Sequence, residues 1–282
     1  MRGSKMKIGL STYSFYWHSL SNDFNFQNIF TLLEETNRYG IHLFQICDYV
    51  PLESYTDNEL EQIAVKAEEL NIELEVGTKG IEKNRLEKFL YICEKLNSKT
   101  LRTMLNSADF VPTIEEAIVL LQEVMPMYEE KGITIALETY EQRKTADLVH
   151  IAETVSSSNL GICLDPANCI ANLEYPNEVL LLAAPFIKNL HLKDFKFERK
   201  EGWVGFSLIG TPFGKGLLDT KHLVRTLRQH HVNTNAIVEF WLPFSNSIEE
   251  TVSLEKQWIR ESLDFIKENL IEQWRNYDEQ FN

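Results

Sequence analysis

Cysteine is scarce here and nowhere paired for chemistry: Cys47, Cys93, Cys163 and Cys169 show no CxxC spacing and fall inside apolar stretches. A free thiol in such surroundings behaves as a small hydrophobe, so structural thiols and no disulfide are expected. Long apolar runs are missing too. No stretch reaches the roughly 18 residues of a membrane span, and the opening Met1-Arg2-Gly3-Ser4-Lys5 lacks the apolar segment of a signal peptide. A cytoplasmic protein with no membrane partner is expected. Positive charge is in deficit, with 28 Lys and Arg against 42 Asp and Glu and a formal net charge of −14. That argues against a nucleic-acid partner, because phosphate binding needs clustered Lys and Arg to displace counterions. No linker, low-complexity tract or shift in composition interrupts the chain, so residues 1–282 read as one domain.

What is present suffices for a sizeable core: hydrophobic residues are 44% and charged residues 25%, close to the globular average. Short β-rich segments alternate with longer amphipathic ones from end to end, the pattern of βα units around a parallel sheet. The strand candidates are Lys7 to Ser11, His42 to Cys47, Ile72 to Gly77, Thr100 to Leu105, Thr134 to Glu138, Leu160 to Asp165, Ile187 to Lys193 and Ala236 to Glu239. Between them, segments such as Thr113 to Lys131 place apolar residues three and four apart, giving one buried helical face; its internal Pro126 is expected to kink or split that helix. The other helices are expected over Phe24 to Tyr39, Asp57 to Leu70, Lys83 to Leu96, Lys144 to Val155, Asn177 to Ala184, Thr220 to His230 and Ile248 to Leu270. Eight such units match the size of a closed (β/α)8 TIM barrel better than a doubly wound sheet, which uses fewer strands.

One connection is unusually long. From Asp194 to Leu218 the chain carries Trp203, Gly205, Gly210, Gly214 and Gly216 with Lys196, Arg199, Lys200 and Lys215, which reads as a lid or binding loop or as a solvated surface excursion.

Side chains at the C-terminal ends of barrel strands converge on one mouth. There the chain places Glu138, Asp165, His191 and Glu239, spaced 27, 26 and 48 residues apart. Any one of them alone is as well explained as a helix cap, a salt-link partner or a satisfied core histidine. Together they are costly to bury without a cation, because desolvating a bare carboxylate is severe. Three carboxylates and an imidazole suit one divalent ion, Mn2+, Co2+, Zn2+ or Mg2+, and suit soft-metal or iron–sulfur binding poorly.

LETYEQRKTADLVHIAE, followed by LGICLDPANCI, NLHLKDF, IGTPFGKGLLD and AIVEFW, resembles the xylose-isomerase-like superfamily of sugar isomerases and epimerases in order and spacing, from about residue 130 to 245. The N-terminal half shares the βα rhythm and the opening KIGLSTYSF. The resemblance implies a metal held by Glu138, Asp165, His191 and Glu239, with Glu138 and Glu239 also serving as acid and base on opposite faces of a substrate carbon. It implies an isomerase or epimerase of a sugar, sugar phosphate or related hydroxy-keto compound, working by proton transfer through a metal-stabilised enediolate. Removing a proton next to a carbonyl does require a base at the C–H and a cation at the oxygen.

The chain departs from the ketose epimerases at Asn168, where they commonly carry a His three residues after the metal-binding Asp; Asn hydrogen-bonds a hydroxyl but transfers no proton near neutral pH. His191-Leu192-Lys193-Asp194 is similar to a frequent variant of the family, and that resemblance implies that Lys193 or a following base meets an anionic group of a carbohydrate or keto-acid substrate. Trp17 and His18, with Tyr13 and Phe15, follow the first strand as an apolar wall or as packing. Asp48, Glu75, Lys79, Arg102 and Asn106 stand near the ends of the next three strands, where substrate contacts or salt bridges fit equally, and Trp203 and Trp241 are of the same kind. Two other readings stand beside the isomerase. An abasic-site endonuclease-like phosphodiesterase of the same superfamily would need a histidine-rich metal cluster and a basic groove, which seven histidines and the acidic balance oppose. A sugar-binding barrel without turnover would not need all four ligands. The segment Ile248 to Leu270, with Trp258, and Trp274 beyond it, is placed to pack on the barrel or on a second subunit of a homo-oligomer.

Overall fold

Short apolar runs become β1 (Ile8–Ser11), β2 (Leu43–Cys47), β3 (Glu73–Lys79), β4 (Thr100–Met104), β5 (Thr134–Glu138), β6 (Leu160–Leu164), β7 (Ile187–Leu192) and β10 (Ala236–Val238). In the computed structural model, which describes residues 6–21, 26–200, 202 and 204–271, these strands pair in parallel and close in the order β1-β10-β7-β6-β5-β4-β3-β2. This is the expected (β/α)8 barrel. Trp203, Trp274 and the expected helix start at Phe24 lie outside the described residues.

The helices α1 (Tyr16–Ser21), α2 (Phe26–Arg38), α3 (Asp57–Glu69), α4 (Lys83–Lys95), α5 (Ile114–Lys131), α6 (Thr145–Val155), α7 (Asn168–Ala171), α8 (Pro176–Ala183), α9 (Thr220–Gln229) and α10 (Ile248–Phe265) pack outside the strands. Their starts are written in the sequence: Thr56 with Glu59 opens α3 and Thr113 with Glu116 opens α5 as reciprocal capping boxes. The short α1 and α7, one to two turns each, were not expected from the sequence; both sit in loops at the mouth. Among the described residues, no helix is long and apolar enough to cross a membrane. Cys47, Cys93, Cys163 and Cys169 are all free and buried, as expected.

Pro126 does not split its helix, since α5 runs unbroken from Ile114 to Lys131. The reason is its side: Pro126 and Gln122, whose carbonyl the proline leaves without an amide partner, both lie on the exposed face of the helix, where the lost bond costs least.

The long connection is no loose excursion, and its residues Leu208 and Ile209 line the cleft at the mouth. It folds into an antiparallel hairpin, β8 (Asp194–Arg199) against β9 (Phe206–Thr211). Its base is tied by the buried Asp194 carboxylate, which accepts from the amides of Phe195, Gly214, Gly216 and Leu218 at 2.8–3.0 Å. Gly210 brings β9 against the chain beyond β10: its amide donates to the Trp241 carbonyl at 3.1 Å, and a Cβ there would meet that oxygen at 2.6 Å. The hairpin is thereby held over the barrel mouth.

Candidate metal centre

Strands β5, β6, β7 and β10 are consecutive around the barrel, and each delivers one polar side chain near its C-terminal end. Glu138 closes β5, Asp165 follows β6, His191 stands near the end of β7 and Glu239 follows β10. Cys163 is in register with both Glu138 and Asn189, and His191 with Ile237, so the four climb from strand to strand as barrel shear requires. One ligand atom from each lies within 4.8 Å of all the others, and no residue of the four is more than 1% exposed. This buried group can hold one metal ion.

The hydrogen bonds around His191 test that fit. Its Nε2 faces the Gln45 Oε1 at 3.0 Å, while the Gln45 amide nitrogen donates to Glu75 and to the Asn189 side-chain oxygen, Oδ1. An oxygen facing Nε2 means that Nε2 carries the proton. The lone pair of Nδ1 in the neutral ring then points at Glu138 and Glu239 oxygens, each 3.3 Å away, and at Asp165 at 3.8 Å. Nδ1 is buried and makes no hydrogen bond. Three acceptors crowding a fourth is what a cation resolves, and oxygen and imidazole donors of this kind suit a divalent ion. Burial opposes a charged ring, yet the surrounding Cys163, Glu239 and Asp165 groups outweigh it and raise the His191 pKa well above the ordinary imidazole range.

Two cations already press on the cluster. Lys193 lies 2.6 Å from Asp165 Oδ2 and 3.1 Å from Glu239 Oε2, with the Trp241 ring 5.2 Å away. Burial pushes the Asp165 carboxyl up, but Lys193 and His191 overcome it and hold it down at about 2. Burial likewise works against the Lys193 ammonium, and Asp165 with Glu239 keep it above the usual lysine range. On the other side the buried Arg102 guanidinium bridges Asp48, at 2.8 Å, and the outer oxygen of Glu138.

The expected substrate contacts divide into two sets. Trp17 and Trp241 line a cleft of about 430 Å³ beside the cluster, together with Tyr13, Tyr16, Leu208, Ile209, Phe240, Leu242, Pro243 and Glu255. Asn168, in contrast, is buried and turned inward, donating to Glu138 Oε1 and the Thr139 carbonyl, both at 3.0 Å, so it holds a candidate ligand rather than presenting a free amide. Arg102 is committed to its two carboxylates, and Glu75 accepts from the amides of Gln45, Asn189 and Asn235. Burial raises the Glu75 carboxyl above its ordinary range, those three amides opposing the shift. His18 and Phe15 are buried outside the cleft lining, and Asn106 is engaged with Arg143 and Gln142. Lys79 and Tyr13 meet on Asp48, at 3.3 and 2.9 Å.

Sequence reasoning passed over Ser11, which donates to Glu239 Oε1 at 3.0 Å, and over Gln45 and Asn189 beneath His191. A signal was available, since each is a polar residue in or ending an otherwise apolar strand.

A profile of the xylose isomerase-like TIM barrel family matches residues 33–269. The chain is 46% identical over 261 residues to the 3-oxo-isoapionate decarboxylase of Pectobacterium atrosepticum, an alignment covering 93% of this chain and 95% of that protein. Among solved structures, the D-psicose 3-epimerase of Clostridium cellulolyticum H10 with D-tagatose superposes with a TM-score of 0.72 at 16% identity, covering 94% of this chain and 99% of that one. The IOLI protein with a bound zinc atom superposes at 0.65 and 19% identity, over 92% and 99% of the two chains. At these identities the structural matches speak to the fold.

Proposed function

This chain belongs to the xylose isomerase-like TIM barrel family, and on that premise we propose that it is a divalent-metal-dependent decarboxylase of a sugar-derived 3-oxo acid. The decarboxylase relative names 3-oxo-isoapionate as the first compound to try. The observation that carries the reading is an asymmetry between the two glutamates. Glu138 is held by Arg102 and Asn168, neither of which passes on a proton, whereas Glu239 is held by Ser11 and by the Lys193 ammonium, which can pass a proton to a strongly basic carbanion.

Epimerisation needs a base that removes a proton and an acid that returns one from the other face. Decarboxylation needs no base. In a 3-oxo acid the carboxylate leaves as CO2, and the electron pair of the broken bond passes to C2 and into the C3 ketone. A bound divalent ion would supply Lewis-acid stabilisation of charge at the ketone oxygen. The protein's own residues do the rest. Lys193 Nζ, beside Glu239 and under Trp241, donates one proton to C2 and recovers it from solvent. Before that step its buried charge, beside the cleft-lining Trp241, also meets an anionic substrate. The aromatic wall of Trp17, Phe240 and Trp241 covers the apolar faces of a small polyol and limits water at C2.

The isomerase or epimerase reading stands second, favoured by the equal 3.3 Å approach of Glu138 and Glu239 to His191 Nδ1, which sets the two carboxylates around one centre. It requires Glu138 to accept a proton while Arg102 holds its outer oxygen. Incubating the zinc- or manganese-loaded protein in D2O separates the two. CO2 release from 3-oxo-isoapionate with one deuterium gained in the product supports decarboxylation. Deuterium wash-in to D-tagatose without CO2 release from the 3-oxo acid would replace it with the second reading.

A further inference from the structure

Beneath the candidate ligands lies a buried polar layer that no step of the proposed reaction uses. The Glu75 carboxylate accepts from Asn235 Nδ2 at 2.7 Å, from Gln45 Nε2 at 3.0 Å and from Asn189 Nδ2 at 2.9 Å. These residues come from β2, β3, β7 and the residue before β10, so the layer crosses the barrel interior. Glu75 is 1% exposed, and Gln45 and Asn189 are fully buried. A carboxylate in the core is expensive, and a barrel interior is ordinarily filled by branched apolar side chains.

We propose that Glu75 is a positioning residue for the metal centre, acting through Gln45 to fix which ring nitrogen of His191 faces the other three ligands. The direction of each hydrogen bond carries the step. An ionised carboxylate only accepts, so Gln45 must turn its NH2 toward Glu75, and its Oε1 is left to face His191 Nε2. The side-chain oxygen of Asn189, Oδ1, accepts from the same NH2 at 3.3 Å and locks the amide in that sense. Nε2 therefore keeps its hydrogen and Nδ1 presents its lone pair to the site. With an amide in place of Glu75, Gln45 is free to turn over, offer NH2 to Nε2 and drive the ring hydrogen onto Nδ1, where it blocks a cation. Outer partners of this kind typically change metal affinity by about 10- to 100-fold. This inference rests on the metal reading but not on decarboxylation.

Zinc affinity, measured by competition with a chromophoric chelator, tests it without reference to activity. Glu75→Gln is expected to weaken zinc binding by about 10- to 100-fold, with the metal-free melting temperature little changed. The exchange Glu75→Gln with Gln45→Glu places the carboxylate directly against Nε2 and lets the new amide donate to it, so zinc affinity is expected to return. A Glu75→Gln variant that binds zinc as the unaltered protein does would overturn the proposal. So would a double variant that stays as weak as the single one, because that is how plain structural damage behaves. Failure of the unaltered protein to bind zinc would overturn the metal reading along with it, so the two failures are distinguishable.

Discussion

Lys193 and a metal ion would share the same two carboxylate oxygens, and replacing the lysine makes that sharing measurable. Lys193→Met removes the ammonium and keeps an unbranched chain of similar length under Trp241. In the metal-free protein the change leaves Asp165 Oδ2 and Glu239 Oε2 without the cation now 2.6 and 3.1 Å away, on side chains 0% and 2% exposed. Breaking one partner out of a buried ion pair costs about 3–5 kcal/mol. For a chain of this size each kcal/mol lowers the melting temperature by about 2 °C, so a fall of roughly 6–10 °C is expected in the presence of a chelator. Saturating zinc returns positive charge to those oxygens, and the fall should shrink to a few degrees. By linkage the difference reappears as tighter zinc binding in the variant, about 10- to 100-fold for 1.4–3 kcal/mol. Thermal melts with and without zinc, paired with a chelator competition, measure both sides of the cycle. An equal fall in both melts, or weaker zinc binding by the variant, would show that the lysine and the ion do not meet at these oxygens.

The two glutamates should fail differently. With kcat expressed per bound metal, Glu239→Gln is expected to lower decarboxylation by about 10²–10⁴, since it disrupts the Lys193 proton donor, whereas Glu138→Gln should act mainly through metal content; equal losses per bound metal would contradict the asymmetry. Glu255 supplies a pH test. Burial, opposed by the amides of Trp17 and His18, pushes its carboxyl up to about 8 from an ordinary 4.5. The folded state then holds a proton that the unfolded chain has released, so its contribution to stability is complete below pH 4.5 and is lost as pH rises through 8. Glu255→Gln should remove that decline, worth on the order of a few kcal/mol, so that the variant melts above the parent at pH 9 and not at pH 4; parallel melting curves across this range would refute it.

The barrel and its four candidate ligands were legible because both are written in local sequence. Apolar runs of strand length mark the strands, and a carboxylate or imidazole at the end of such a run is conspicuous when four strands repeat it. The partners of those ligands were only partly legible: Asp48, Glu75 and Arg102 stood out as polar residues near strand ends, with a salt bridge as one reading, but the sequence did not say which group each would meet. Arg102 and Asp48 on one side, and Gln45, Glu75 and Asn189 beneath, come from strands far apart in sequence that only closure of the barrel brings together. Asn168 reads as a free hydrogen-bonder until the turn after β6 folds it back: its amide and that of Ala167 donate to Asp165 Oδ1 at 3.1 and 3.0 Å, and this aims its side chain at Glu138. The hairpin of β8 and β9 was missed because its glycines read as loop, while the buried Asp194 that ties its base is, in the sequence, one more acid after a strand.

The charges around the mouth also favour a bound cation. Glu138, Asp165, Glu239 and Asp48 face two buried cations, Arg102 and Lys193, with Lys79 half exposed at the rim. Glu75 stands apart beneath the site, where the three amides that donate to it meet its charge. Four carboxylates against two buried cations, with the half-exposed Lys79 meeting Asp48, leave an excess of negative charge in surroundings where a bare charge costs several kcal/mol. A bound cation would offset that excess. With a divalent ion held by Glu138, Asp165, His191 and Glu239, an arriving carboxylate would add one negative charge beside Lys193. Loss of CO2 moves that charge from the carboxylate onto the oxygen of the former ketone, and the Lys193 proton then removes it, so an acid on the Glu239 side is sufficient and a base on the Glu138 side is not needed.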